Sequence, residues 1–264
     1  MIEQHVRKVI IIDQPFLDDL RNTSLTDLQA FTSPDIDTMV ITLPLSSQSQ
    51  INELARYVDP TEIRAGSILV KPVYTDQFVP VDSFTEDIVL RKYGLFVQLC
   101  IALGAKKVAI SSIEDISLES SESVSDEVNI GGSAAIGKVE GAAKAKQSSL
   151  NDEIRQSIMK LHTEAHGGEP NLEEADRIMD QFGLRKDALF TDVYNMCRVS
   201  TNRLSRNEVS LDFSKEVKSV FDSSMQAKIK VMSKLYQGCA EFDKARKSLE
   251  KNRSATRLSV VVEF

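Results

Sequence analysis

The chain has 264 residues, 32 basic against 39 acidic side chains and a formal net charge of −7. It has 42% hydrophobic content, three Cys and no Trp. That composition excludes collagen-like, disulfide-rich and wholly disordered classes. No run approaches eighteen uninterrupted apolar residues, the first residues lack the pattern of a signal peptide, and a cytoplasmic protein is expected.

In chain order, residues 6–13 predict an apolar strand. A short helix over 15–21 opens with Pro15 and is N-capped by Asp13. Ser24 as N-cap with Asp27 three residues on predicts a second helix over 24–31. Residues 38–43 read as a strand stopped by Pro44, and 46–58 as a helix stopped before Pro60. Residues 67–74 read as a strand whose Pro72 suggests an edge, paired with 77–81. Residues 82–105 form the strongest helix, apolar nearly all round and closed by Gly104, leading to a strand at 107–112.

From Val108 to Ile130, seven of twelve even positions are large and apolar, against one of eleven odd positions. That is a period of two. Gly131-Gly132 then gives a hairpin signal, and a returning arm runs to about 147. With that turn, Leu118, Val124, Val128, Ala135, Val139 and Ala143 share one face. On the other, Ser125, Glu119 and Ser117 meet Lys138, Lys144 and Lys146, acidic arm against basic arm. The apolar face is a candidate for protein interaction or membrane insertion. This Ser/Gly/Ala/Val hairpin is similar to the membrane-inserting hairpins of gasdermins and other β-pore formers over at most these forty residues. The resemblance implies a membrane-acting effector.

The remainder reads as helical. Leu150, Ile154, Ile158, Leu161 and Ala165 form a stripe capped by Ser149 and closed by Gly167-Gly168. Asn171 caps a helix over 172–182, and a further helix spans 187–204. A strand at 207–213 precedes a helical run from Ser214 to Phe242, which Gly238 could split. Residues 255–264 alternate as a final strand, expected to pair within the main sheet. The fold class is α+β: a mixed sheet with helices, one long β-hairpin over about 108–147, and a largely helical C-terminal half ending in a strand. A single compact unit is expected, with a subdivision at 148/149 as the alternative.

Charge is unevenly spread: residues 1–105 carry 8 basic and 14 acidic side chains, residues 214–257 carry 11 and 5. Lys228, Lys230, Lys234, Lys244, Lys247 and Lys251 are therefore candidate contacts for an anionic partner, a membrane surface included. Without a zinc-finger, homeodomain or RNP signature, no specific nucleic acid is expected. His162 and His166 in HTEAH stand at i, i+4 on the expected helix and form a weak metal candidate, because the metalloprotease order places Glu directly after the first His. Cys100, Cys197 and Cys239 read as buried apolar residues. No phosphate-loop, dinucleotide, nucleophile-elbow or CxxC motif is present, so no cofactor is expected and no catalytic residue is assigned.

Three readings follow. The first is a non-enzymatic protein acting by protein interaction or self-assembly through the hairpin and the basic helices. The second is a pore-forming effector, and the third an enzyme whose site is gathered from separate segments.

Overall fold

The structure is a computed structural model that describes residues 5–45, 47–117, 150, 152–199, 204–236, 239–251 and 254–264. Its α+β architecture contains two four-stranded sheets where the sequence suggested one. The first sheet is mixed and is ordered β2-β1-β3-β4. Lys8–Asp13 (β1) runs parallel to Thr38–Leu43 (β2) and antiparallel to Ile68–Val70 (β3), which pairs in turn with Val79–Pro80 (β4). The strand containing Ile68 is thus internal and stops before Pro72, which correctly breaks the ladder without making an edge.

Two short helices separate β1 from β2. Gln14–Thr23 (α1) starts at Asp13, whose Oδ1 accepts from Phe16 N at 3.1 Å. Leu25–Thr32 (α2) starts at Ser24, whose Oγ accepts from Asp27 N at 3.2 Å. Both caps satisfy amide donors that a helix start leaves open. Gln48–Leu54 (α3) is shorter than its sequence suggests.

Phe84–Ala102 (α4) carries the chain from the first sheet to the second, about 28 Å at ~1.5 Å per residue. Its apolar circumference makes it a central element: Phe84, Ile88, Val89, Phe96, Leu99 and Cys100 are fully buried. Gly104 closes it at φ +93°, where a Cβ would collide with the carbonyl oxygen of Gly168.

The second sheet is antiparallel and ordered β6-β5-β8-β7. Lys107–Ser117 (β5) pairs with Ser254–Glu263 (β8) along its length, with one irregularity between Ile110 and Ser112. The final strand therefore sits inside a sheet as expected, but in this second one. Arg206–Asp212 (β7) flanks β8, and His162–Glu164 (β6) flanks only Lys107–Ala109. The described part of the expected hairpin, 108–117, lies within β5; its turn and returning arm fall outside the described residues.

Helices cover these sheets. Asp152–Met159 (α5) ends sooner than expected, and the chain turns into β6, so His162 stands on a strand. Leu172–Gln181 (α6) is capped by Asn171 and followed by Gly183 at φ +63°. Ala188–Arg198 (α7) is capped by Asp187. The run after Ser214 divides into three helices, Ser214–Val220 (α8), Ser223–Leu235 (α9) and Ala240–Lys251 (α10). One break falls at Phe221-Asp222, where Asp222 Oδ1 starts α9 by accepting from Met225 N at 2.9 Å.

Three lysines enter the interior with their partners. Lys8 binds Asp37 Oδ1 at 3.0 Å and also Asp222, tying β1 to the start of α9. Lys228 of α9 donates to Phe31 O at 3.1 Å. Lys92 of α4 contacts Glu216 Oε1 at 2.8 Å and Asp187 Oδ2 at 2.9 Å, and Tyr74 donates to that same Asp187 oxygen at 3.0 Å. Burial works against the charge of Lys92, but Glu216 and Asp187 outweigh it and hold its pKa above the usual lysine value. Lys228 differs. Burial comes first among its influences, reinforced by the positive Lys8, and its pKa falls below the usual value.

Removing Lys92 takes the cation from the buried Glu216 and the partly buried Asp187. Lys92→Met is expected to cost about 3–5 kcal/mol in urea unfolding, and adding Asp187→Asn and Glu216→Gln should recover part of it. Because the folded pKa of Lys92 lies above 10.5, its contribution is fully present below pH 10.5 and disappears as pH rises through the folded value. Unfolding midpoints measured from pH 8 to 12, wild type against Lys92→Met, should converge at the alkaline end.

Candidate functional site

Sequence reasoning singled out two surfaces, and the second sheet brings their bases together. β5 and β8 stay in register to their shared end, where Ser117 pairs with Ser254. Ser117 leads into the alternating segment 118–149. Ser254 lies three residues beyond Lys251, the last residue of the basic helix α10. The end of α10 is therefore three residues of chain from the partner of Ser117.

The outer edge of β5 is braced at this end by α5. β6 pairs only as far as Ala109. Beyond it, Arg155 of α5 donates from Nη1 to Ile113 O at 3.4 Å and from Nη2 to the Asp115 carboxylate. A side-chain cation thus occupies a backbone acceptor that a further strand would otherwise use. On the inner side, Ser111 Oγ donates to Ser259 O at 3.1 Å beside the irregularity in the ladder.

The basic helices present most, but not all, of the expected lysines. On α9, Met225, Ile229 and Met232 turn inward, while Lys230 and Lys234 share the outward stripe one turn apart. Lys234 is engaged with Asp27 of α2, and this neighbour holds the Asp27 carboxyl below its ordinary pKa. Lys228 is 3% exposed, so it is withdrawn from any surface role. On α10, Phe242, Ala245 and Ser248 face inward, and Ser248 Oγ donates to Val81 O at 3.1 Å. Lys244, Arg246 and Lys247 face outward, while the side chain of Lys251 is outside the described residues.

The histidine pair does not keep its expected helical spacing. With β6 replacing the expected helix, His162 and His166 no longer stand one turn apart on one helix face. His162 Nδ1 lies 3.1 Å from Lys160 O. Among the described residues, no group of three or more His, Cys, Asp or Glu side chains is placed to hold a metal ion. His166 instead lines a cleft of about 530 Å³ with Leu103, Lys106, Cys197 and Phe264. Burial pushes the Cys197 thiol up to about 11 and raises Cys100 further, with Cys197 adding to the latter. Neither is activated as a nucleophile. Asp13 Oδ1 serves both as a cap and as the acceptor of Tyr236 Oη–H at 2.8 Å, with Phe16 and Tyr236 stacked at 4.9 Å.

The membrane-acting, pore-forming expectation is corrected. Among the described residues no helix is long and apolar enough to cross a membrane. Leu118, Val124, Val128, Ala135, Val139 and Ala143, the expected interaction face, lie outside the described residues.

Arg155→Ala should release the brace on β5. A loss of about 1–3 kcal/mol is expected from the missing charge-assisted hydrogen bond to the partly buried Asp115, together with faster amide exchange over 110–117 and unchanged exchange over 206–212. Uniform acceleration across the second sheet would show that Arg155 has no local role.

No protein-family model, no curated protein and no solved structure matches this chain.

Proposed function

We propose that the protein works by protein interaction and self-assembly, not by catalysis, using segment 118–149 together with the outward basic faces of α9 and α10. The observation that carries this reading is the shared base of the two surfaces, Ser117 against Ser254 just beyond α10. A period-two segment that continues directly from a strand already locked in a sheet is suited to strand addition to another chain. Its charges favour such pairing, since Glu119, Glu122, Asp126 and Glu127 precede the turn, and Lys138, Lys144 and Lys146 follow it. Lys230, Lys244 and Lys247 on the exposed helix faces supply a second, cationic surface. The acidic outgoing arm of a second copy is a partner of matching charge.

The test is sedimentation velocity of the full chain over roughly 1–100 μM, a range spanning typical weak to moderate self-association. The average mass should rise with concentration. Val124→Lys/Val139→Lys should lower it by placing cations on the apolar face, and Lys230→Glu/Lys244→Glu/Lys247→Glu should lower it by reversing the helix faces. Circular dichroism should be unchanged in both. A wild-type mass independent of concentration, or variants that assemble as the wild type does, would remove this reading.

A further inference from the structure

We infer that β7 is a second, separate interface: an edge strand that pairs antiparallel with β7 of another copy about a two-fold axis, joining two second sheets into one of eight strands. Hydrogen-bond phase sets the first condition. Phe264 N donates to Ser205 O at 3.0 Å, and Phe213 N donates to Thr256 O at 3.2 Å. Both pairs continue the β7–β8 register, in which Asn207 opposes Val262 and Leu211 opposes Leu258. In an antiparallel ladder the residues that exchange bonds alternate with those that do not. Residues 205, 207, 209, 211 and 213 therefore bond to β8, while the backbone groups of Arg206, Glu208, Ser210 and Asp212 point away from it. Among the described residues no strand takes up that outer edge.

The two edges of this sheet are treated differently. At the β5 edge, β6 covers Lys107–Ala109 and Arg155 occupies Ile113 O. The β7 edge has no such cover among the described residues, and it is seven residues long, about 23 Å at ~3.3 Å per residue. Long uncovered edges are templates for pairing unless charge or proline prevents it. β7 contains no proline, and its charges select a register instead of forbidding one.

Only outward-facing residues of one copy can exchange bonds with outward-facing residues of the other, so the two numbers in each bonded pair are both even. If Val209 sits on the two-fold axis, Arg206 faces Asp212 of the second copy, Glu208 faces Ser210, and all seven residues are paired. A shift that opposes Glu208 to Glu208, or Glu208 to Asp212, sets like charges together and shortens the overlap, which is unfavourable across strands. Asp212 is already an anion held below its ordinary pKa: burial opposes this, but Ser214 and Arg257 outweigh it. Arg257 lies at 2.8 Å, and Arg206 of the second copy would complete a carboxylate flanked by two guanidinium groups. The partner that fits this edge in length, phase and charge is the same strand of another copy.

This interface lies at the opposite edge of the sheet from β5 and does not depend on segment 118–149. Val209 on the axis is a non-bonded pair, where opposed Cα atoms lie about 4.5 Å apart. Val209→Cys should therefore give a covalent dimer under mild oxidation, reversed by reductant. Glu208→Cys should not, because its two copies are diagonal neighbours about 7–8 Å apart, beyond disulfide reach. Ser210→Pro, which deletes only an outward N–H, should abolish the Val209→Cys cross-link while leaving the circular dichroism spectrum intact. Adding Val124→Lys/Val139→Lys should leave the cross-link unchanged, so its outcome is separable from the assembly reading above. Cross-linking of Glu208→Cys in preference to Val209→Cys, or a cross-link indifferent to Ser210→Pro, would overturn the inference. So would the absence of any Val209→Cys dimer at about 100 μM.

Discussion

The pairing of β5 with β8 is the constraint on which the rest of the second half rests. It joins Lys107 to Glu263 and Ser117 to Ser254, closing a loop of roughly 150 residues. Such closure costs about 4 kcal/mol beyond its constant part on a logarithmic loop-length scale. The bond ladder offsets that cost only when the whole strand is in register. Apolar burial supplies the remainder: Ala255, Leu258, Val260 and Val262 are buried, facing a core that also takes in Val108 and α4. The same pairing fixes three other features. It opposes Ser117, which leads into 118–149, to Ser254, three residues after α10, leaves β7 as an edge among the described residues, and gives α5 a strand edge to brace. A register slip of one residue in β8 would turn its apolar side outward and undo all three together.

The first sheet is joined to the C-terminal helices by charge as well as by apolar contact. Lys8 reaches Asp222, the residue that starts α9, and Lys228 returns from α9 to the end of α2. Asp35 adds a third link through Ser224 Oγ at 2.6 Å. Burial opposes its ionisation, but this hydrogen bond, that from Thr38 and the charge of Lys8 hold its pKa below the ordinary value. Buried ion pairs contribute little net stability, because desolvation cancels much of the attraction, yet a broken pair is severely unfavourable. Their consequence here is geometric: a shift of α9 along β1 separates Asp222 from Lys8, which keeps Asp37. Lys92 plays the same part between α4, α7 and α8.

Much of the local structure was legible because its causes are local. Ser24 with Asp27 and Asn171 with Glu174 state their caps within four residues, and both caps form. The alternation at 207–213 and 255–264 reports strands because each has one buried face. The failures have tertiary causes. Leu150 and Ile158 are buried as a helix stripe requires, but Leu161 is 37% exposed, because the chain leaves the helix after Met159 to pair with Lys107–Ala109. Nothing in HTEAH declares that partner. Two sheets instead of one also follow from long-range pairing, since strand alternation identifies a face and not its neighbour. The buried lysines were readable in principle. Lys228 stands in phase with Met225, Ile229 and Met232, Lys92 with Ile88 and Phe96, and Lys8 with Val6 and Ile10. A lysine in the apolar phase of its element signals a buried partner elsewhere, whereas a charge count treats every lysine as solvated.

That distinction changes the meaning of the basic C-terminal segment. Lys228 is spent inside the protein, Lys234 on Asp27 and Arg257 on Asp212, leaving Lys215 and Lys218 of α8, Lys230 of α9 and Lys244, Arg246 and Lys247 of α10 exposed. The remaining positive surface is therefore smaller than the sequence total. The β7 edge, by contrast, carries Arg206, Glu208 and Asp212 in an order that complements itself. A self-complementary edge produces a closed two-fold contact, which ends at two copies. A contact between unlike surfaces, such as an acidic segment on basic helices, continues head to tail unless its rotation closes a ring. Were both proposed interfaces to form, the β7 dimer would be the repeating unit, and the length of the assembly would be set by the second contact alone.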